Sequence, residues 1–160
     1  MPEFTHFNQQ GRAHMVDISE KLPSARSAVA VGRVCMCEET IRCIQQQQVK
    51  KGDVLAVAQV AGIMAAKRTW ETIPMCPAIP LSAVDLSFSF ADWGIALRAE
   101  VKCHASTGAE MEALSAVSAA ALTIYDMCKA LQRDMVISDI HLLEKHGGKS
   151  GTFCWEVSHG

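Results

Sequence analysis

The sequence predicts an α+β fold in which helices pack on one face of an antiparallel sheet, and three features predict it. Val84, Leu86, Phe88 and Phe90 alternate with polar residues, as do Ile95, Leu97, Ala99 and Val101 after the turn Ala91-Asp-Trp-Gly94, which is the pattern of a half-buried hairpin. Thr107 to Lys129 is a long, small and apolar stretch with charge only near its two ends, as expected of a well-covered helix. Along the chain the apolar period switches between 2 and 3.6 in the order β-α-α-β-β-α-β-β.

Taken in order, Met1 to about Ser27 has no strong period and reads as an extended arm, with the remainder forming one domain over residues 1–160. Ala28 to Cys37 is rich in valine and gives a first strand. Glu38 to Gln48 is a short helix with Ile41 and Ile44 on its apolar side and a solvated glutamine end. Lys50-Lys51-Gly52-Asp53 is a turn, and Asp53 suits the N-cap of the next helix, Val54 to about Glu71. That helix is apolar nearly all round until Lys67 and Arg68, so it should be covered on most sides. Pro74, Pro77 and Pro80 then impose a loop.

In the long helix, Thr107 and Glu110 have the spacing of a capping box. Met111, Leu114, Ser118, Ala121, Tyr125 and Cys128 should share a buried face, and Asp126, Lys129 and Arg133 a stripe at the far end. Met135 to Leu143 and Thr152 to Val157 complete the strands, joined by the flexible turn Gly147-Gly-Lys149-Ser-Gly151. The plan is a split βαβ, ferredoxin-like, with an extra leading helix and a trailing strand.

Composition narrows the function. Hydrophobic residues make up 49% and charged residues 20%, which excludes disorder. A net charge of −2 and a pI near 6.3 give no basic field for nucleic acid. No apolar run is long enough for a membrane span or an export signal, so a cytoplasmic protein is expected. Seven cysteines without a C-x-x-C pair read as reduced, mostly buried thiols. The six histidines show no metal-ligand spacing.

Three constellations can carry chemistry. Asp126 beside Lys129 is either a surface ion pair or a proton-transfer pair with mutually tuned pKa values. Lys51 before a helix N-terminus suits an anion such as phosphate, or is an ordinary turn. Lys149 in the glycine turn is within reach of a bound anion, though the turn lacks Walker spacing. Glu112 lies on nearly the same side of the long helix as Asp126 but about 21 Å away along the axis. One small ligand cannot touch both within one subunit, so a site using both ends would be shared between subunits.

Five segments together resemble the cyclic pyranopterin monophosphate synthase family of molybdenum-cofactor biosynthesis. They are Thr107-Gly-Ala-Glu-Met-Glu-Ala-Leu, Ala121-Leu-Thr-Ile-Tyr-Asp-Met-Cys-Lys-Ala130, Lys51-Gly-Asp, Ala61-Gly-Ile-Met-Ala-Ala-Lys-Arg-Thr-Trp70 and Gly147-Gly-Lys-Ser-Gly151. The resemblance covers nearly the whole chain, starting with Thr5-His-Phe and Met15-Val-Asp. It implies a homohexamer, a trimer of dimers, with active sites at subunit boundaries. It also implies conversion of a cyclised dihydro-GTP to cyclic pyranopterin monophosphate with release of pyrophosphate. By matching positions Asp126, Lys51 and Lys129 are catalytic. Met75, Cys76, Pro77, Met111 and Glu112 bind substrate, with Lys67 and Lys149 as further cations for it. No cofactor is implied, although magnesium can accompany the triphosphate.

Two departures stand out. The family ordinarily reads Leu-Cys-His-Pro where this chain reads Met75-Cys76-Pro77-Ala78, so a histidine is replaced by proline. The segment Cys103-His-Ala-Ser106 lacks the basic residue that often precedes Thr-Gly, and His104 is a candidate to compensate. The alternative reading is therefore a paralogue that binds a nucleotide or pterin, or has a structural role, without turnover.

Overall fold

The computed structural model describes residues 7–156. Its elements are β1 (Ser24–Cys35), α1 (Glu38–Gln45), α2 (Val54–Lys67), α3 (Thr69–Thr72), β2 (Leu81–Ala91), β3 (Gly94–Ala105), α4 (Glu110–Cys128), β4 (Val136–His146) and β5 (Phe153–Cys154). The strands form one sheet in the order β2-β3-β1-β4-β5, and every pairing is antiparallel. The expected α+β class and the β2–β3 hairpin are both observed. Thr5 and His6 of the N-terminal motif and Val157, the expected end of the last strand, lie outside the described residues.

Alternation along β3 explains the layering. Ile95, Leu97, Ala99, Val101, Cys103 and Ala105 are all buried, and they line the face on which α4 lies. Arg98, Glu100, Lys102 and His104 point the other way, as a period of two requires. Ion pairs cross that open face, among them Arg98 with Glu100 at 3.4 Å and with Glu144 at 3.6 Å. Placing helices on one face only leaves charge on the other, the usual division in an antiparallel sheet.

Asp53 caps α2 as expected, its Oδ1 accepting the Ala56 N–H at 3.0 Å. Several expectations need correction. β1 begins at Ser24 rather than Ala28, so the arm is shorter than predicted. The helix after Asp53 breaks at Arg68, whose backbone (φ −116°, ψ 16°) turns the chain into α3. The Thr69 hydroxyl donates back to the Ala65 and Ala66 carbonyls there, competing with helix continuation.

The capping box does not form. α4 starts after Ala109, which has no side-chain cap, because Glu110 is held by Lys145 instead at 2.9 Å. The buried face of α4 is also rotated from the one predicted. Ala113, Ala116, Val117, Ala120, Ala121, Ile124 and Cys128 are fully buried, whereas Leu122 is 62% exposed. Alanine is the reason: small side chains let α4 approach both the sheet and α2, so burial follows the small residues and not the large ones. Only half of α2 is covered. Val54, Ala58, Gly62 and Ala66 are buried while Val57, Val60 and Met64 are exposed. The thiols are all free, yet Cys37 and Cys154 are exposed rather than buried. No helix among the described residues is long and apolar enough to cross a membrane.

Candidate active site

The last turn of α4 buries Ile124, Met127 and Cys128, which leaves Asp126 on the outward side of the helix. Lys129 follows at the C-cap, and Lys51 arrives from the turn that precedes α2. The three side chains converge. Lys129 Nζ donates to Asp126 Oδ1 at 2.7 Å, and Lys51 Nζ donates to Oδ2 at 2.8 Å. Lys51 also donates to the Asp126 main-chain carbonyl at 2.8 Å, satisfying one of the acceptors a helix C-terminus leaves free. Arg133 does not join this stripe, because the helix has ended. Its carbonyl instead accepts the Tyr125 hydroxyl at 2.7 Å.

Electrostatics at this cluster run against simple proton exchange. The Lys129 and Lys51 ammonium groups hold the Asp126 carboxyl down at about 2, and Asp126 in turn raises Lys129. Both shifts favour the ionised pair. With all three groups about half exposed, the cluster is a solvent-facing site of net charge +1, open to an incoming anion.

A second cluster occupies the other end of α4. Glu112 is 5% exposed and has its carboxyl raised, first by burial and then by Glu110. Cys76, in the proline loop, is raised by burial and by Glu112 and Glu110, which places that loop beside the start of α4. Cys103 on β3 is raised by the same two causes, burial foremost, so both thiols stay protonated. Met75, Cys76 and Pro77 are half-buried there with Met111. Lys67 lies at the edge of this end, in a shallow depression with Ile79 and Leu81.

A cavity of about 750 Å³ opens beside the start of α4, lined by Lys21, Arg26, Thr107, Gly108, Glu110, Lys145 and Lys149, among others. Lys145 Nζ donates to Glu110 Oε1 and to Ser150 Oγ, each at 2.9 Å. Lys145, Arg26 and Lys21 were not singled out from the sequence. Lys145 reads there as one more polar residue of an alternating strand, and nothing local marks it as meeting Glu110. Within its own subunit His104 does not face the Glu112 cluster. It sits on the open face of the sheet, opposite in direction to its neighbour Cys103.

The structure therefore unites Lys51, Asp126 and Lys129 at one end of α4. Toward the other end it sets Cys76 and its proline loop beside Glu112, whereas Lys149 lines the separate cavity next to Glu110 and Lys67 a depression of its own. Fourteen positions of helix separate Glu112 from Asp126, about 21 Å.

Comparison with known proteins decides the family. The model of the MoaC family matches residues 15–148, well over half of the chain. This chain belongs to the MoaC family. A cyclic pyranopterin monophosphate synthase of Thermoanaerobacter pseudethanolicus is 58% identical over 155 residues, covering 96% of this chain and 98% of that protein. The protein of the same name from Bacillus subtilis is 56% identical, covering 99% of this chain and 95% of its own. That of Brevibacillus brevis is 55% identical, with 94% and 95% covered. The MoaC match runs from before Arg26 to beyond Lys145 and stops just short of Lys149.

Proposed function

We propose that this chain is a cyclic pyranopterin monophosphate synthase of molybdenum-cofactor biosynthesis, a lyase that releases pyrophosphate from a cyclised dihydro-GTP. The carrying observation is the convergence of Lys51 and Lys129 on Asp126, in a chain 58% identical to a relative of that name over nearly its full length. Expulsion of pyrophosphate develops negative charge on the departing phosphate oxygens, and fixed ammonium groups lower the cost of that charge. Lys51 and Lys129 supply it at one end. Lys145 and Lys149, with Lys67 at the margin, supply cations at the other.

The low pKa of Asp126 fits a substrate-dependent role. While both lysines hold it, the carboxylate is a weak base. A triphosphate that draws the lysines away removes the cause of the depression, and Asp126 becomes basic enough to accept a proton. Glu112, buried and shifted toward its neutral form, is suited to donate a hydrogen bond to a ring nitrogen or oxygen beside Cys76 and Met111. Such chemistry needs no resident cofactor, and any magnesium would arrive on the triphosphate.

The two ends form one site only across subunits, and the reading includes a homohexamer built as a trimer of dimers. Val60, Leu122 and Trp70 are 61%, 62% and 50% exposed on the outer side of the helical layer, an apolar surface rare on a monomer. A two-fold axis through that surface would run α4 antiparallel to its copy. The lysine–aspartate end of one subunit would then face the glutamate end of its partner.

Pyrophosphate release from the cyclised dihydro-GTP tests the proposal. Wild-type protein is expected to release it, and Pro77→His to release it faster. Lys51→Ala and Asp126→Asn should abolish product while light scattering shows an unchanged oligomer. No release from wild type or Pro77→His, with binding retained, would favour the non-catalytic paralogue. The near-complete coverage of relatives that carry the synthase name weighs against that alternative.

A further inference from the structure

The turn after β4 is built around one arginine. Gly147 and Gly148 both have positive φ, 92° and 76°, but conformation is only part of the reason for glycine. A Cβ on Gly147 would overlap the Ala25 carbonyl oxygen and stand 3.3 Å from Arg26 Cα. One on Gly148 would overlap Arg26 Nη1 and stand 2.9 Å from Cζ. The turn therefore rests directly on the Arg26 side chain. That guanidinium is committed on its other edge, where Nε donates to the Ala105 carbonyl at 2.9 Å and Nη2 to the Ser106 carbonyl at 3.2 Å. Ser106 in turn donates to the Lys21 carbonyl at 2.6 Å. Gly151, in the same turn with φ 66°, has open space where its Cβ would go, among the described residues.

From this geometry we infer that Arg26 is a positioning residue. It clamps the Gly147–Gly148 turn to the segment 105–108 that opens α4, and so fixes Lys145 and Lys149 around the cavity. The planar guanidinium suits the role, since its fixed fork binds two carbonyls on one side while its face supports the turn. The functional half of the inference rests on the synthase reading, in which this cavity receives phosphate oxygens. The clamp itself does not.

Two glycine variants separate displacement of Arg26 from backbone strain. Gly148→Ala imposes both, while Gly151→Ala imposes strain alone. Hydrogen exchange of the 105–109 segment and affinity for inorganic triphosphate are measured on the full-length protein. Gly148→Ala is expected to speed exchange there and to weaken triphosphate binding on the order of tenfold, the worth of losing charge-assisted hydrogen bonds. Gly151→Ala should change each within about twofold. In an Arg26→Gln or Arg26→Lys background, Gly148→Ala should add less than about twofold, because the two changes break one contact. With the cyclised dihydro-GTP, Gly148→Ala should raise KM and leave kcat within about twofold. Equal effects of the two alanine variants, or full effects of Gly148→Ala on top of the Arg26 variants, overturn the clamp. Wild-type protein that binds no triphosphate overturns its functional half. Absence of pyrophosphate release sinks the synthase reading while exchange still decides the clamp.

Discussion

Gly62 lies where α2 crosses α4, and replacing it by alanine sets two effects of similar size against each other. Inside a helix alanine is favoured over glycine by about 1 kcal/mol. Against this, a Cβ on Gly62 would overlap Leu86 Cδ2 and stand 3.0 Å from the Ala116 carbonyl oxygen. Leu86 is 5% exposed and Ala116 is fully buried, so the leucine tip can retreat only by a rotamer change against packed neighbours, and the Ala116 carbonyl only by moving a helix. Overpacking of this kind costs roughly 1–3 kcal/mol. The expected balance for Gly62→Ala is a loss of about 1 kcal/mol.

Leu86→Ala alone empties a buried site and should cost about 2–5 kcal/mol. In the double variant the new methyl enters the vacated space, and the helix preference is realised without the clash. The double should therefore be more stable than the sum of the singles by about 1–2 kcal/mol. Urea unfolding at one fixed protein concentration, followed by circular dichroism, measures all four proteins. Thermal melting should shift by about 2–4 °C per kcal/mol for a chain of this length. A Gly62→Ala protein that gains the full helix preference in the wild-type background would refute the reasoning, since it would mean slack at the crossing. The crossing matters for function because Lys51 sits just before α2 and Asp126 on α4, so separating the helices lengthens their bond.

Other outcomes follow from the charges and surfaces. Asp126 should titrate near 2 by carbon NMR of the carboxyl. Its folded pKa lies below the ordinary 3.8, so the pairing supports the fold above that value and is lost as pH falls toward 2. A midpoint near 4 would show that the lysines do not hold it. Glu112→Gln should stabilise the protein at neutral and alkaline pH. The buried carboxyl is shifted upward, so its ionisation costs stability as pH rises above the ordinary value; unchanged pH dependence of unfolding would contradict this. Leu122→Glu tests the proposed assembly: if a hexamer forms through that face, the variant should lower the oligomer's mass and its activity together, read by light scattering and pyrophosphate release. A full-sized, active variant would move the interface elsewhere. Mixing inactive Asp126→Asn and Glu112→Ala proteins, after dissociation and reassembly, should restore part of the activity, and no recovery in verified mixed oligomers would place both ends in separate sites.

Several patterns that depend on neighbours in sequence were legible, whereas the Thr107–Glu110 capping box and the buried face of α4, also local patterns, were overridden by packing. The β2–β3 hairpin, the Asp53 cap and the burial of Ile41 and Ile44 on α1 all follow from local period and backbone chemistry. The same holds for Asp126 beside Lys129, one helical turn apart. Lys51 could be suspected from its turn, but its bond to Asp126 spans 75 positions and exists only because α2 packs on α4.

Apolar periodicity along the chain thus determined the antiparallel sheet and the long alanine-rich helix. Packing decided what one-dimensional spacing leaves open. Which face of α4 is buried was set by how closely alanine lets α2 and the sheet approach. Glu110 became a partner of Lys145 rather than a cap, and Arg26 came to support a glycine turn more than a hundred positions away, because the order β2-β3-β1-β4-β5 places β1 beside β4. Contacts of that kind depend on strand order and interaxial distance, which no local period encodes.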